Sequence, residues 1–144
     1  MLYAGFQAHY LYKNGDECEL LSGGWGQYTS NGSVTMNNDS MVIYVGNNSG
    51  YRANAYTKNY IDLTGFTQLI VIADSLVTGL KAIQLVNTSG TPVSLKEVYG
   101  NAAYTKGNPI VLDVTNYTGK YRIQFYAAAY NGADKLTVYS VELK

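Results

Sequence analysis

No stretch of this 144-residue chain sustains a helical apolar period. Short runs instead alternate apolar and polar residues, and each stops at a turn signal, the mark of an all-β sandwich or barrel. "SMVIYVG" puts Met41, Ile43 and Val45 on one face. "YRANAYT" sets Ala53 and Ala55 against Arg52, Asn54 and Tyr56. "YRIQFYA" turns Ile123, Phe125 and Ala127 inward and Arg122, Gln124 and Tyr126 outward. "QLIVIA" is apolar on both faces, as a central strand should be. "NGDECELLSGGW" reads as a strand with Cys18 and Leu20 opposite Glu17 and Glu19. Turns are expected at Asn31-Gly32, "NNSG", "NTSGTP" and "YNGAD", and a loop over the polar stretch 99–109. In "KLTVYSVELK" the apolar phase slips between Val138 and Val141, which predicts a β-bulge or burial on both faces. About ten strands are too many for one flat sheet in so small a domain, and two packed antiparallel sheets solve the burial problem.

One phrase is written twice. "NYIDLTGFTQLIV" starts at Asn59 and "PIVLDVTNYTGKYRIQF" at Pro109. Each reads apolar–Asp–apolar–Thr, then an aromatic residue, then a long apolar run. Ile61 and Leu63, and likewise Leu112 and Val114, share a face, while Asp62, Thr64, Asp113 and Thr115 point away. Short Asp and Thr side chains satisfy nearby backbone groups where a strand ends. The phrase therefore predicts a short strand, a corner and a core strand, with Phe66 and Tyr117 plugging the sandwich end.

Composition narrows the partners. Ten basic and ten acidic residues cancel. That argues against nucleic acid and against electrostatic attachment to a membrane. The apolar runs are too short to insert in a bilayer. The N-terminus lacks the basic region and apolar core of a signal peptide. A site of action outside a cell would then require unconventional export, cleavage from a longer chain or release by lysis. One domain is expected over residues 1–144, with residues 1–12 as an N-terminal extension or arm.

The phrases "YLYKNGDEC…SGGW", "YIDLTGFTQLIV", "IVLDVTNYTGKYRIQF" and "LTVYSVELK" together resemble a known group. These are the jelly-roll, carbohydrate-binding-module-like domains of tail and other structural proteins of phages and prophages. The resemblance covers most of the chain from Tyr10 onward. It implies a two-sheet antiparallel sandwich of the galactose-binding or carbohydrate-binding-module type. It also implies a virion setting, or an extracellular one after release, with other virion proteins as partners and oligomeric or multivalent display.

No catalytic constellation appears. His9 is the only imidazole and reads as a strand residue. Cys18, the single cysteine, can form no intrachain disulfide and reads as a small buried hydrophobe. Asp74, after a core strand, is the best-placed acid but has no evident partner. No enzyme, cofactor or metal site is predicted. What stands out is fifteen tyrosines and fifteen glycines with abundant Asn, Ser and Thr, which make a surface polar without charge. An aromatic ring covers the apolar face of a sugar while amides and Arg fix its hydroxyls. Candidate glycan-binding residues are Trp25, projecting from "GGWGQY", with Tyr28, Tyr51, Arg52, Tyr56, Tyr104, Tyr130 and Asn131. The alternative is a structural, assembly or capsid-decoration protein in which the same tyrosines form subunit contacts.

Overall fold

The computed structural model describes residues 9–17, 23–46, 50–75, 79–99, 104–129 and 132–144. Cys18, Leu20, the "NNSG" turn apart from Gly50, Tyr130 and Asn131 lie outside them. The described residues form thirteen strands in two antiparallel sheets and no helix. They are β1 (His9–Lys13), β2 (Asp16–Glu17), β3 (Trp25–Ser30), β4 (Gly32–Met36), β5 (Met41–Val45), β6 (Arg52–Thr57) and β7 (Ile61–Asp62). Then follow β8 (Gln68–Ser75), β9 (Leu80–Asn87), β10 (Pro92–Tyr99), β11 (Ile110–Asp113), β12 (Lys120–Ala128) and β13 (Asp134–Leu143). The strands beyond the expected ten include β2 and β7, two residues each, too short to carry a period of their own. Residues 9–12, expected in an N-terminal arm, belong to β1 beside β13.

The first sheet runs β11-β8-β13-β1-β2, and β5, carrying β4, joins the first half of β13. The second sheet runs β10-β9-β12-β6-β3, with β7 beside the start of β12. Between them lies the core, where Leu69, Val71, Ile123 and Phe125 are fully buried with Ile43, Ala53, Ala55, Leu85 and Val138. The alternation read in β5, β6 and β12 matches the inward and outward faces observed. The phase slip in the last strand is a register shift between Val138 and Ser140.

The repeated phrase makes two reciprocal crossovers. β7, a corner and β8 carry the chain from the second sheet to the first; β11, a corner and β12 carry it back. Each short strand pairs with the long strand of the other phrase, β7 with β12 and β11 with β8. The corners have the same chemistry. Asp62 Oδ1 accepts the Thr64 amide at 3.0 Å and Asp113 Oδ1 accepts the Thr115 amide at 2.9 Å. Hydrogen bonds from the Thr115 hydroxyl and amide at Asp113, and from the Thr64 amide and hydroxyl at Asp62, favour the carboxylate, so both acids sit below their ordinary pKa. The corners also hold each other: the Leu63 amide donates to Gly119 O at 2.8 Å and the Gly119 amide to Thr64 Oγ1 at 2.9 Å. Phe66 and Tyr117 pack half-buried against the core end.

An ion pair joins the sheets at one end. Lys81 Nζ of β9 lies 3.2 Å from Asp134 Oδ1 of β13, and both side chains are fully buried. The Lys135 amide donates to the same oxygen at 2.9 Å, while Oδ2 has no partner among the described residues. Gly79, at φ +69, passes so close that an added Cβ would lie 2.7 Å from that free oxygen.

Candidate functional site

Strand pairing stacks the outward side chains of the second sheet into rows. One row reads Ser30, Arg52, Ala128, Leu80; the next Tyr28, Asn54, Tyr126, Ala82, Glu97; the third Gly26, Tyr56, Gln124, Gln84, Ser94. Five strands at about 4.8 Å spacing give this face a width of roughly 19 Å.

Its aromatic part is built around a glycine. An added Cβ on Gly26 would lie 2.6 Å from Cζ of Tyr56, so the Tyr56 ring lies across the bare backbone of β3. Only glycine permits that approach. The Arg122 guanidinium stands 5.5 Å from the centroid of Tyr56 and 4.7 Å from that of Tyr60, and its Nη2 donates to Lys58 O at 3.1 Å. Arg52 sits 5.5 Å from the centroid of Tyr28. Hydrogen bonding to Tyr28, and then the neighbouring Tyr126, raises the pKa of that guanidinium. Stacked arginines of this kind are pre-positioned donors on the face.

The polar part is a directed chain. Gln124 Nε2 donates to Gln84 Oε1 at 2.7 Å, Gln84 Nε2 to Ser94 Oγ at 3.1 Å, and Ser94 Oγ to Glu97 Oε2 at 3.3 Å. An ionised carboxylate only accepts, so Glu97 fixes the direction of the whole chain. The carbonyl oxygen of Gln124 is left at its head, in the row with Tyr56, without a donor among the described residues. Asn54, between Tyr28 and Tyr126, likewise has its Oδ1 unpaired, and buried. The face thus combines exposed ring surface, fixed cationic donors and, at Gln124, a neutral acceptor.

Tyr28, Arg52 and Tyr56 come together here. Tyr51 stands just before β6 and is half-buried against the core. Trp25 and Tyr104 do not join them. Trp25 pairs with Thr57 on the inward side of β6. Its indole packs inside, 6.3 Å from the ring of Tyr12 and 5.8 Å from that of Phe125. The flanking glycines leave the direction of Trp25 open, and strand parity decides it. Tyr104 is only 4% exposed. Its hydroxyl reaches Lys81 O at 3.5 Å, and burial pushes its pKa up. It lies beneath an open groove of about 300 Å³ bounded by Lys96 and Asn108–Leu112. Tyr130 and Asn131 fall outside the described residues. Asn54, Gln84, Ser94, Arg122, Gln124 and Tyr126 complete the face. Three had been read as outward in β12 and Asn54 in β6, and only the pairing of those strands reveals them as neighbours.

The other candidates are occupied. Asp74 accepts the Lys106 amide and the Tyr139 hydroxyl, the latter at 2.8 Å, which raises the pKa of Tyr139. No group of three or more His, Cys, Asp or Glu that could hold a metal occurs among the described residues.

The fold is that of carbohydrate-binding modules of family 29. A CBM29-2 mutant superposes with a TM-score of 0.61 at 14% identity, covering 96% of this chain and 91% of its own. A family 29 module matches at 0.60 and 15% identity, over 95% of this chain and 88% of its own. A further CBM29-2 mutant, complexed with cellulohexaose, matches at 0.62 and 14% identity over 95% and 90%. At these identities the likeness is one of fold. No protein-family model matches the sequence, and no curated protein matches it either.

Proposed function

We propose that the protein is a non-catalytic module that binds a neutral cell-surface glycan on the outer face of its second sheet. One observation carries the reading: the Tyr56 ring laid over Gly26, beside the open Gln124 carbonyl. The ring covers the apolar face of a pyranose, Gln124 accepts from a hydroxyl, and Arg52 and Arg122 donate. A width of roughly 19 Å suits several sugars of an extended chain crossing the strands. The fold neighbours complexed with oligosaccharides support the choice of ligand class. The setting we propose, the surface of a phage or prophage particle or the exterior after release, rests on the sequence phrases alone. A shallow face binds weakly one site at a time, and clustered display supplies the avidity.

The test is a glycan array probed with protein clustered on beads, followed by binding to whole cells. Tyr56→Ala is expected to abolish array signal at an unchanged melting temperature. Added salt is expected to change binding little, since screening acts on charge. Full binding by Tyr56→Ala, or no binding by the clustered protein to any glycan or cell, refutes the reading.

A further inference from the structure

The sandwich guards its strand edges unequally. β10, one edge of the second sheet, opens with Pro92, bulges between Ser94 and Lys96, and carries Lys96 and Glu97. β2 is only two residues long, and β11 follows Pro109 and ends in Asp113. These are devices that stop a foreign strand from pairing. β3, the opposite edge of the second sheet, has none; among the described edges only the shorter β4 of the first sheet, "GSVTM", shares that lack. "WGQYTS" contains no charge, no proline and no bulge against β6.

The Lys58 amide donates to Gly24 O at 2.9 Å, which sets the parity of the ladder. Even-numbered residues of β3 direct their peptide groups to β6, and Trp25, Gln27 and Thr29 direct theirs to the outer edge. No strand lies there among the described residues, and Gln27, Tyr28 and Thr29 are exposed.

We propose that β3 is a pairing edge through which two copies of this chain join, antiparallel, about a two-fold axis at Gln27. Parity selects the partner. With Gln27 opposite its own copy, Trp25 faces Thr29 of the partner subunit, and each such pair presents donor to acceptor. On the outward side Gly26 falls opposite Tyr28 of the partner subunit. Because Gly26 has no side chain, that ring meets Tyr56 above it as an aromatic pair. The second sheet then runs unbroken through five strands of each copy, and the two outer faces become one surface. A neutral, self-complementary strand fits a second copy better than a charged peptide, which would find no counter-ion on it. The inference stands on the edge itself and does not depend on glycan binding.

The experiment is sedimentation velocity over a concentration series, with residue-resolved amide exchange on the same samples. The wild-type chain is expected to dimerise, with the amides of Gln27 and Thr29 slowing as dimer forms. Gln27→Lys sets two like charges together on the axis and should weaken dimerisation about tenfold or more. Its side chain is exposed in the single copy, so the melting temperature of the monomer should hold. Thr29→Pro removes an outward N–H and should act the same way. A chain that is monomeric throughout overturns the proposal. So does a dimer that Gln27→Lys leaves intact, or one in which the Gln27 and Thr29 amides still exchange freely.

Discussion

Replacing Lys81 by Met strands a charge. In the native chain Asp134 is fully buried and held by the Lys81 ammonium at 3.2 Å and the Lys135 amide at 2.9 Å, with Oδ2 unpaired. Without Lys81 the carboxyl keeps only the backbone bond and must stay ionised in the interior or take up a proton. Breaking a buried pair from one side costs about 3–5 kcal/mol, whereas replacing both partners by apolar side chains of similar volume is close to neutral. Urea unfolding at neutral pH is therefore expected to give that loss for Lys81→Met, and recovery of most of it in Lys81→Met/Asp134→Leu. The sign with pH is also fixed. Burial raises Asp134 from 3.8 to about 6, and the Lys81 charge offsets part of the shift. A raised carboxyl pKa means the folded state binds the proton more tightly. Its contribution is full below 3.8 and is lost as pH rises through about 6, at most about 3 kcal/mol. Asp134→Asn should flatten that slope. A Lys81→Met loss below about 1 kcal/mol, the scale of a solvated surface pair, refutes the reasoning. So does a double variant as unstable as the single.

Gly26→Ala should displace the Tyr56 ring and weaken glycan binding as Tyr56→Ala does, with the thermal midpoint nearly unchanged by calorimetry. Trp25→Ala should instead cost stability, about 3 kcal/mol by denaturant unfolding, because the indole packs between Tyr12 and Phe125. Asp62→Ala and Asp113→Ala should each lower the melting temperature by freeing a corner amide, without loss of glycan binding in folded protein. Both acids have lowered pKa values, so their contribution is present above pH 3.8 and disappears on acidification below it.

The sequence made the layers legible because a strand's two faces differ at every second residue. β6 and β12 were read correctly as separate strands, down to which residues point outward. That they lie side by side, with Tyr56 beside Gln124, is a non-local fact that no local period encodes. The repeated Asp–Thr phrase was legible as a corner, since its hydrogen bonds span two residues. Its reciprocal pairing across both sheets was not. Trp25 was misdirected because aromatic content and flanking glycine say nothing about parity, which is set by the register of β3 against β6. Tyr104 lies within the stretch 99–109 read as a polar loop, yet it tucks under β9, so a polar neighbourhood in sequence did not mean an exposed side chain.

The most direct measurement is an amide chemical-shift titration of the isotope-labelled chain with the neutral glycan that gives the strongest signal on the array. The account predicts saturable shifts confined to Gly26, Tyr28, Asn54, Tyr56, Gln124 and Tyr126, lost in Tyr56→Ala. Shifts centred on the outer face of the first sheet or on the groove above Tyr104 would contradict it, as would spectra that the glycan leaves unmoved.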